Sequence, residues 1–218
     1  MKTKIILSIV VGAGLPAWAS LFTSSPGAVI PDNNPSGYAN TISVSGLGSQ
    51  LTGVIVQLNI SGGYNGDLLA YLTYGGQTVT LLNRVGTGGG NTYGYADTGF
   101  AITLNDSGST GLHNYQANSP TYNGSGQLTG TWQPDSGGTT FSSAYGGVDP
   151  NGTWQIFFAD MSAGDQSTLV SWSLDITAVP EPVNVAMAIF GVGFVGTGAV
   201  RRYRGSSQAK LPPAPLKV

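Results

Sequence analysis

Apolar and polar residues alternate in several short stretches of this chain, which is the pattern of β-strands that bury one face. Between Thr52 and Ile60 every second side chain is apolar, and GTWQIFFAD repeats the pattern from Trp154 to Phe158. In a third stretch, STLVSWSLDIT, the residues expected to face inward are Val170, Trp172, Leu174 and Ile176. The alternation predicts an all-β fold built from antiparallel strands.

Turn residues separate these strands. Gly75-Gly76 lies between the runs 68–74 and 77–83, and two successive glycines suit the positive φ angles of a tight hairpin turn. The segment MSAGDQ, residues 161–166, is typical of a hairpin loop between the strands of Trp154 and Trp172. Short strands at this spacing predict a two-sheet β-sandwich over residues 43–177, with these two rings in one core.

Two segments lack a clear period. Residues 20–42 are rich in Pro, Asn and Ser, and we expect them to form a flexible leader. Residues 106–126 read as a long polar loop, so Tyr115 within it is expected at the surface. Asp149, Asn151 and Gly152 read as a turn before a strand.

The composition excludes several kinds of site. Only 8% of the 218 residues are charged, and the chain has 34 Gly, no Cys and one His. Without Cys there is neither a disulfide nor a thiolate metal site, and a lone His excludes a conventional zinc site. So many glycines predict many turns and few helices.

The charges are divided unevenly along the chain. Between Ser20 and Ala178 the single basic residue is Arg84, whereas every acidic residue of the chain except Glu181 is an Asp within this body. Nucleic-acid binding requires clustered Lys and Arg to neutralise phosphates. An acidic body of this kind is therefore not a nucleic-acid binder.

The first 19 residues have the three parts of a secretory signal peptide. Lys2 and Lys4 precede a short apolar run, which ends in Ala17-Trp18-Ala19. The run is too short to span a bilayer, and the small residues Ala17 and Ala19 predict signal cleavage after Ala19. We therefore expect the chain to be exported.

Residues 178–204 contain a second membrane-directed segment. Residues 183–200 carry no charge and would form a transmembrane helix about 27 Å long, against a hydrocarbon core of about 30 Å. Arg201, Arg202 and Arg204 follow, and positive residues stay on the cytoplasmic side. The body would face outward, and residues 205–218 would be a cytoplasmic tail.

Pro180, Glu181 and Pro182, followed by this apolar helix and the Arg cluster, resemble the PEP-CTERM sorting signal of Gram-negative bacteria. The resemblance implies a membrane-embedded protease, an exosortase, as a partner that cuts near Pro180-Glu181-Pro182. It also implies the localisation. The protein would be exported, anchored in the inner membrane during sorting, and then released to the cell surface or extracellular matrix.

The body resembles a second family through YNGDLLAYLTYGGQTVTLLNRVGTGGG, GFAITLNDSGS and FSSAYGGVDPNGTWQIFFADMSAGDQSTLVSWSLDI. These stretches are similar in order and content to the P domain, or Homo B domain, of proprotein convertases. The resemblance implies a jelly-roll β-sandwich over residues 43–177. It also implies a possible partner, since in convertases this domain stabilises a subtilisin-like catalytic domain.

The residues themselves do not indicate an enzyme. His113 lies in a polar loop without a nucleophile motif, and no pair of carboxylates is marked as catalytic. No cofactor is required, although structural calcium stays open because Asp-rich loops supply oxygen ligands. The calcium candidates lie beside predicted strand ends: Asp97, Asp106, Asp160 and Asp165. Asp is also a common turn residue, which is the alternative for all four.

Two functions remain. The first is a non-catalytic protein of the cell envelope or extracellular matrix, sorted by an exosortase and binding an exopolysaccharide, another glycan or a protein. The second is an accessory P domain that docks on a separately encoded subtilisin-like serine endopeptidase. We favour the first on the sequence.

Overall fold

A computed structural model describes residues 17–179. The strands are β1 (Trp18–Ser24), β2 (Ala28–Val29), β3 (Asn34–Val44), β4 (Gln50–Gly62), β5 (Leu68–Tyr74), β6 (Gln77–Asn83), β7 (Phe100–Leu104), β8 (Thr121–Tyr122), β9 (Leu128–Trp132), β10 (Gly152–Asp160) and β11 (Ser167–Val179). One short α-helix, α1, spans Phe141–Tyr145, and 3₁₀ turns occupy Asn65–Asp67 and Leu112–Asn118. The prediction of an all-β fold is confirmed.

The strands form two sheets. The seven-stranded sheet has the order β1-β11-β4-β7-β9-β8, with β2 also paired to β11, and the four-stranded sheet has the order β3-β10-β5-β6. The expected antiparallel pairing fails at one place, because β7 and β9 run parallel, with Phe100 opposite Leu128. The 23 residues between these two strands, 105–127, allow the chain to return to the same end of the sheet.

The alternating positions of both sheets face one hydrophobic core. Val54, Val56, Leu58 and Ile60 of β4 are all buried, as are Trp154, Ile156 and Phe158 of β10. Trp132 and Trp172 belong to the same cluster. The core assignments made from the alternation are therefore confirmed for these strands.

The hairpin at Gly75-Gly76 is also confirmed. β5 and β6 pair with Tyr74 opposite Gln77, and the two glycines have φ angles of +57° and +78°. A side chain at either position would be strained in this left-handed backbone conformation, which explains the two glycines.

In β11 the predicted alternation was wrong at its start. Leu169 is buried, whereas Val170, expected inward, is half-buried. The pairing of β11 with β4 shifts register between Leu169 and Ser171, which is the signature of a β-bulge. One extra residue reverses the two faces, so the regular alternation resumes only at Trp172.

The loop 161–166 does not close a hairpin, contrary to the prediction. β10 pairs with β3 and β5 in the four-stranded sheet, whereas β11 pairs with β1, β2 and β4 in the other sheet. Six residues are enough to cross the spacing of about 10 Å between packed sheets. Trp154 and Trp172 still share one core, but they enter it from opposite sheets.

The flexible leader predicted at 20–42 was wrong, and the folded body is longer than 43–177. β1 pairs with β11 along its whole length, from Trp18 opposite Ala178 to Ser24 opposite Trp172. β3 pairs with β10, and Ile42 and Val44 are buried. β1 and β3 are edge strands, which tolerate Pro and polar residues because one side of each has no neighbour.

The expected signal peptide, residues 1–19, lies largely outside the described residues, although Ala17 and Ala19 are within them. The sorting segment from Pro180 to Arg204 and the tail 205–218 also lie outside. Within residues 17–179, no helix is long and apolar enough to cross a membrane.

Candidate functional sites

The two predicted processing points lie close to the first and last residues of the described strands. Ala19 lies in β1 opposite Thr177, and Ser20 lies opposite Ile176. β11 ends at Val179, opposite Gln50 of β4, and Pro180 is the next residue. Because β1 begins where its antiparallel neighbour β11 ends, Ala19 and Val179 lie at the same end of the seven-stranded sheet.

His113 and Asp135 form a close pair that resembles part of a catalytic triad. Nδ1 of His113 lies 2.7 Å from Oδ2 of Asp135, and Nε2 lies 2.8 Å from the backbone carbonyl oxygen of Thr87. A carbonyl oxygen only accepts hydrogen bonds, so Nε2 must carry a proton and donate it. In this arrangement the ring has no free nitrogen to act as a general base.

The environment of the pair favours a structural role. Burial alone lowers the pKa of His113, but the hydrogen bonds to Asp135 and Thr87 outweigh it and raise the pKa overall. Burial raises the pKa of Asp135, and His113 acts in the opposite direction. Asp135 also accepts from the backbone N–H of Asn83. The pair therefore ties the 3₁₀ turn 112–118 to the segment after β6 and to the loop after β9.

We expect the protein to hydrolyse neither peptide nor glycoside substrates, because Nε2 of His113 is engaged by Thr87 and the sequence marks no catalytic pair of carboxylates. The measurement is an assay of the purified chain against casein-type, peptide and aryl-glycoside substrates, with His113→Ala alongside. Turnover by the wild-type protein that is lost in His113→Ala would contradict this expectation.

The four calcium candidates are not brought together by the fold. Asp97 accepts hydrogen bonds from the hydroxyl of Tyr115 at 2.7 Å and from Nε2 of Gln116 at 2.6 Å. Asp106 caps α1, accepting from the backbone N–H groups of Phe141 at 2.7 Å and Ser142 at 2.8 Å. Both carboxylates accept hydrogen bonds from donors 18 to 36 residues away in the chain, so they join distant segments and do not form the local turns of the alternative.

Asp160 is the last residue of β10, and Asp165 lies near the end of the loop 161–166 between the two sheets. Asp165 is exposed, whereas Asp160 is fully buried and its Oδ2 has no hydrogen-bond partner among the described residues. Burial raises the pKa of Asp160, and the nearby carboxylates of Asp67 and Asp32 raise it further. Within residues 17–179, no group of three or more His, Cys, Asp or Glu side chains could hold a metal ion. Structural calcium stays an untested expectation.

The turn before β10 is confirmed. The backbone N–H of Asn151 donates to Oδ1 of Asp149 at 2.9 Å, and β10 begins at Gly152. Asn151 also exchanges two hydrogen bonds with the backbone of Leu47, both at 3.0 Å, so this turn holds the loop after β3.

Tyr115 was expected at the surface, and that expectation was wrong. Its side chain is fully buried, with ring contacts to Tyr95 at 4.8 Å and to Trp132 at 6.1 Å between centroids. Its hydroxyl accepts from Nδ2 of Asn65 at 3.2 Å and donates to Asp97. Burial raises the pKa of this phenol far above its ordinary value. The polar sequence of residues 106–126 therefore gave no indication that Tyr115 packs in the core.

An open groove of about 340 Å³ lies on the outer face of the seven-stranded sheet. It crosses β1, β11, β4 and β7, and we call it the outer groove. Its polar lining consists of hydroxyl and amide side chains: Thr23, Gln57, Asn59, Thr103, Ser171 and Ser173. Sequence reasoning missed this surface, because these residues come from strands far apart in the chain and carry no motif.

No protein-family model matches the chain, and no curated protein is similar to it. Among solved structures, the chain is similar to the crystal structure of the Aeromonas sobria serine protease in complex with the chaperone ORF2. The TM-score is 0.46 at 15% identity, and the match covers 76% of this chain and 28% of that one. A crystal structure of the same protease matches with a TM-score of 0.43 at 14% identity, covering 75% of this chain and 27% of the other. The chain therefore spans little more than a quarter of the length of these solved proteins.

Proposed function

We propose that this protein is a non-catalytic component of the cell envelope or extracellular matrix. In this proposal a jelly-roll β-sandwich is exported, sorted through a PEP-CTERM-type signal, and released to bind a glycan or protein partner. The observation that carries the proposal is the position of the two predicted cuts relative to the described strands. Among the described residues, the paired strands run from Trp18 to Val179, so the cut after Ala19 falls two residues into β1 and the cut near Pro180 follows β11.

Cleavage at these limits would cost the fold very little. Removal of residues up to Ala19 leaves five of the seven residues of β1, Ser20–Ser24, paired with β11. A cut near Pro180 leaves β11 complete. The core residues identified here all lie between the two cuts. The released body would therefore keep its packing.

The engaged His113 supports the non-catalytic part of the proposal. Both nitrogens of its ring already have hydrogen-bond partners within the fold, so the single histidine of the chain has a structural role. Catalytic machinery of the Ser-His-Asp kind requires a free Nε2 next to a nucleophile.

The test is the intact mass of the protein expressed in a host that has an exosortase and in a matched host that lacks it. With the exosortase we expect a mature chain that starts at Ser20 and ends near Pro180, recovered from the envelope or medium. Without the exosortase the C-terminal segment should stay on the protein in the membrane fraction.

Two double variants sharpen this test. Pro180→Ala with Pro182→Ala removes the sorting motif and should leave the protein unprocessed at its C-terminus. Pro212→Ala with Pro213→Ala makes the same chemical change in the tail and should be processed like the wild type.

Mature wild-type protein that still contains peptides spanning residues 17–21 or 182–201 would contradict the proposal. If the processed protein co-purifies with a subtilisin-like protease and slows its heat inactivation, the result would favour the accessory-domain alternative instead.

A further inference from the structure

We propose that the outer groove binds a neutral polysaccharide chain laid across the strands of the seven-stranded sheet. This inference rests on the proposed function and names the ligand class that the released body would bind.

The groove presents polar side chains in two rows that run across the strands. In the first row Thr23 of β1 lies opposite Ser173 of β11, which lies opposite Gln57 of β4 and then Thr103 of β7. Neighbouring strands are about 4.8 Å apart, so a chain along this row would meet a hydroxyl or amide at each strand.

The second row lies one pleat further along the same face. Ser171 lies opposite Asn59, which lies opposite Ala101. Oδ1 of Asn59 accepts a hydrogen bond from Nε2 of Gln127 at 2.9 Å, which holds the amide group in one orientation. A fixed amide loses less conformational freedom when it binds a ligand.

The floor of the groove contains a hydroxyl that the fold leaves without a partner. Ser173 is 4% exposed, and its Oγ has no hydrogen-bond partner among the described residues. Trp172 and Leu174 on either side of it point into the core, so Ser173 lies on the outer face, where the groove is. Buried polar groups are nearly always hydrogen-bonded, and a ligand hydroxyl would satisfy this one once rotation of the Ser173 side chain brings its Oγ to the groove.

The charges select a neutral ligand over an acidic one. None of the groove-lining residues is ionisable, and Asp175 lies on the same face next to the first row, opposite Leu21 and Ile55. The single basic side chain of the body, Arg84, is engaged elsewhere, with Gly66, Ser162 and Asp67. An acidic polymer would therefore be repelled without a compensating cation.

The lining also disfavours a protein partner. The centre of a protein interface is enriched in aromatic and other large apolar side chains, with polar groups at its rim. Here the large apolar lining residues Leu58, Ile102 and Trp172 are buried, the outward side chains are hydroxyl and amide groups with Ala101, and the exposed Leu21 lies at one side. Sugars carry many hydroxyl groups, which both donate and accept hydrogen bonds. The hydroxyl and amide groups of the groove can do the same.

The test is affinity electrophoresis of the full chain, held in detergent micelles, through native gels that contain a polysaccharide. The neutral probes are dextran, mannan, galactomannan and xyloglucan, and the acidic probe is alginate. We expect at least one neutral probe to retard the wild-type protein and alginate to leave its mobility unchanged.

The variants locate the binding surface. Gln57→Met and Thr103→Val keep the side-chain size but remove polar groups from the first row, so each should weaken binding about tenfold. The matched control is Gln155→Met, which changes another exposed glutamine, on the outer face of the four-stranded sheet, and should bind like the wild type.

Three outcomes would overturn the inference. They are equal retardation of all variants, retardation by alginate alone, and no retardation by any neutral probe. A wild-type dimer that Gln57→Met converts to monomer would instead identify the groove as an interface between copies. Because the assay uses the unprocessed chain, its failure leaves the proposed export and sorting intact. Failure of the mass-spectrometry test in turn leaves groove binding intact.

Discussion

Replacing Trp154 or Trp172 by Ala is expected to lower the free energy of unfolding by about 3–5 kcal/mol, the usual cost of truncating a buried Trp. Trp154 is fully buried and stacks on Tyr74 with 4.1 Å between ring centroids, and its Nε1 donates to the carbonyl oxygen of Pro150 at 3.0 Å. Trp172 is 1% exposed, and its Nε1 donates to Oδ1 of Asn40 at 2.8 Å. A domain is typically stable by about 5–15 kcal/mol, so either variant should be marginal.

Urea unfolding of residues 20–179, followed by Trp fluorescence and far-UV circular dichroism, measures this effect. The control is Tyr93→Ala, which truncates an aromatic ring that is 69% exposed and should change stability by less than about 0.5 kcal/mol. Trp variants that unfold at the parent's urea midpoint would show that these rings are outside the core.

Replacing Tyr115 by Ala should cost nearly as much, about 3–5 kcal/mol, because it removes a fully buried ring from between Tyr95 and Trp132. Tyr115→Phe distinguishes the contribution of the ring to stability from that of its hydroxyl. That variant keeps the packing but leaves Asn65 and Asp97 without a shared partner, which should cost about 1–3 kcal/mol.

The same urea experiment applies, again with Tyr93→Ala as the control. The expected order of stability is parent, Tyr115→Phe, then Tyr115→Ala. If Tyr115→Ala unfolds together with the parent, the ring lies at the surface, as the polar loop sequence had suggested.

Much of the secondary structure follows from local patterns. The inward faces of β4 and β10 follow from alternation alone, because a half-buried strand needs an apolar side chain at every second position. The turn at Gly75-Gly76 follows because it needs positive φ angles. These features depend on neighbours within a few residues, so the sequence contains all the information that they require.

The candidate sites were predicted less well. Alternation identifies Gln57 and Thr103 as outward residues, but it does not say that β4 lies beside β7. The outer groove exists only because four strands from distant parts of the chain become neighbours. The four calcium candidates were chosen from loop composition, but no three of them form a metal-binding group within residues 17–179, and the fold uses Asp97 and Asp106 as acceptors for its own donors.

The sequence by itself determined the all-β class, the two inward tryptophans, the acidic and cysteine-free body, and the chain signals that predict export. Only the tertiary structure decided which sheet each strand joins, where the bulge at Val170 reverses a face, and that Tyr115 is buried. The tertiary structure also showed that residues 20–42, expected to be a flexible leader, pair as edge strands. The physical reason is that strand pairing and burial depend on hydrogen-bond partners and surfaces far away in the chain, which local propensity and periodicity do not specify.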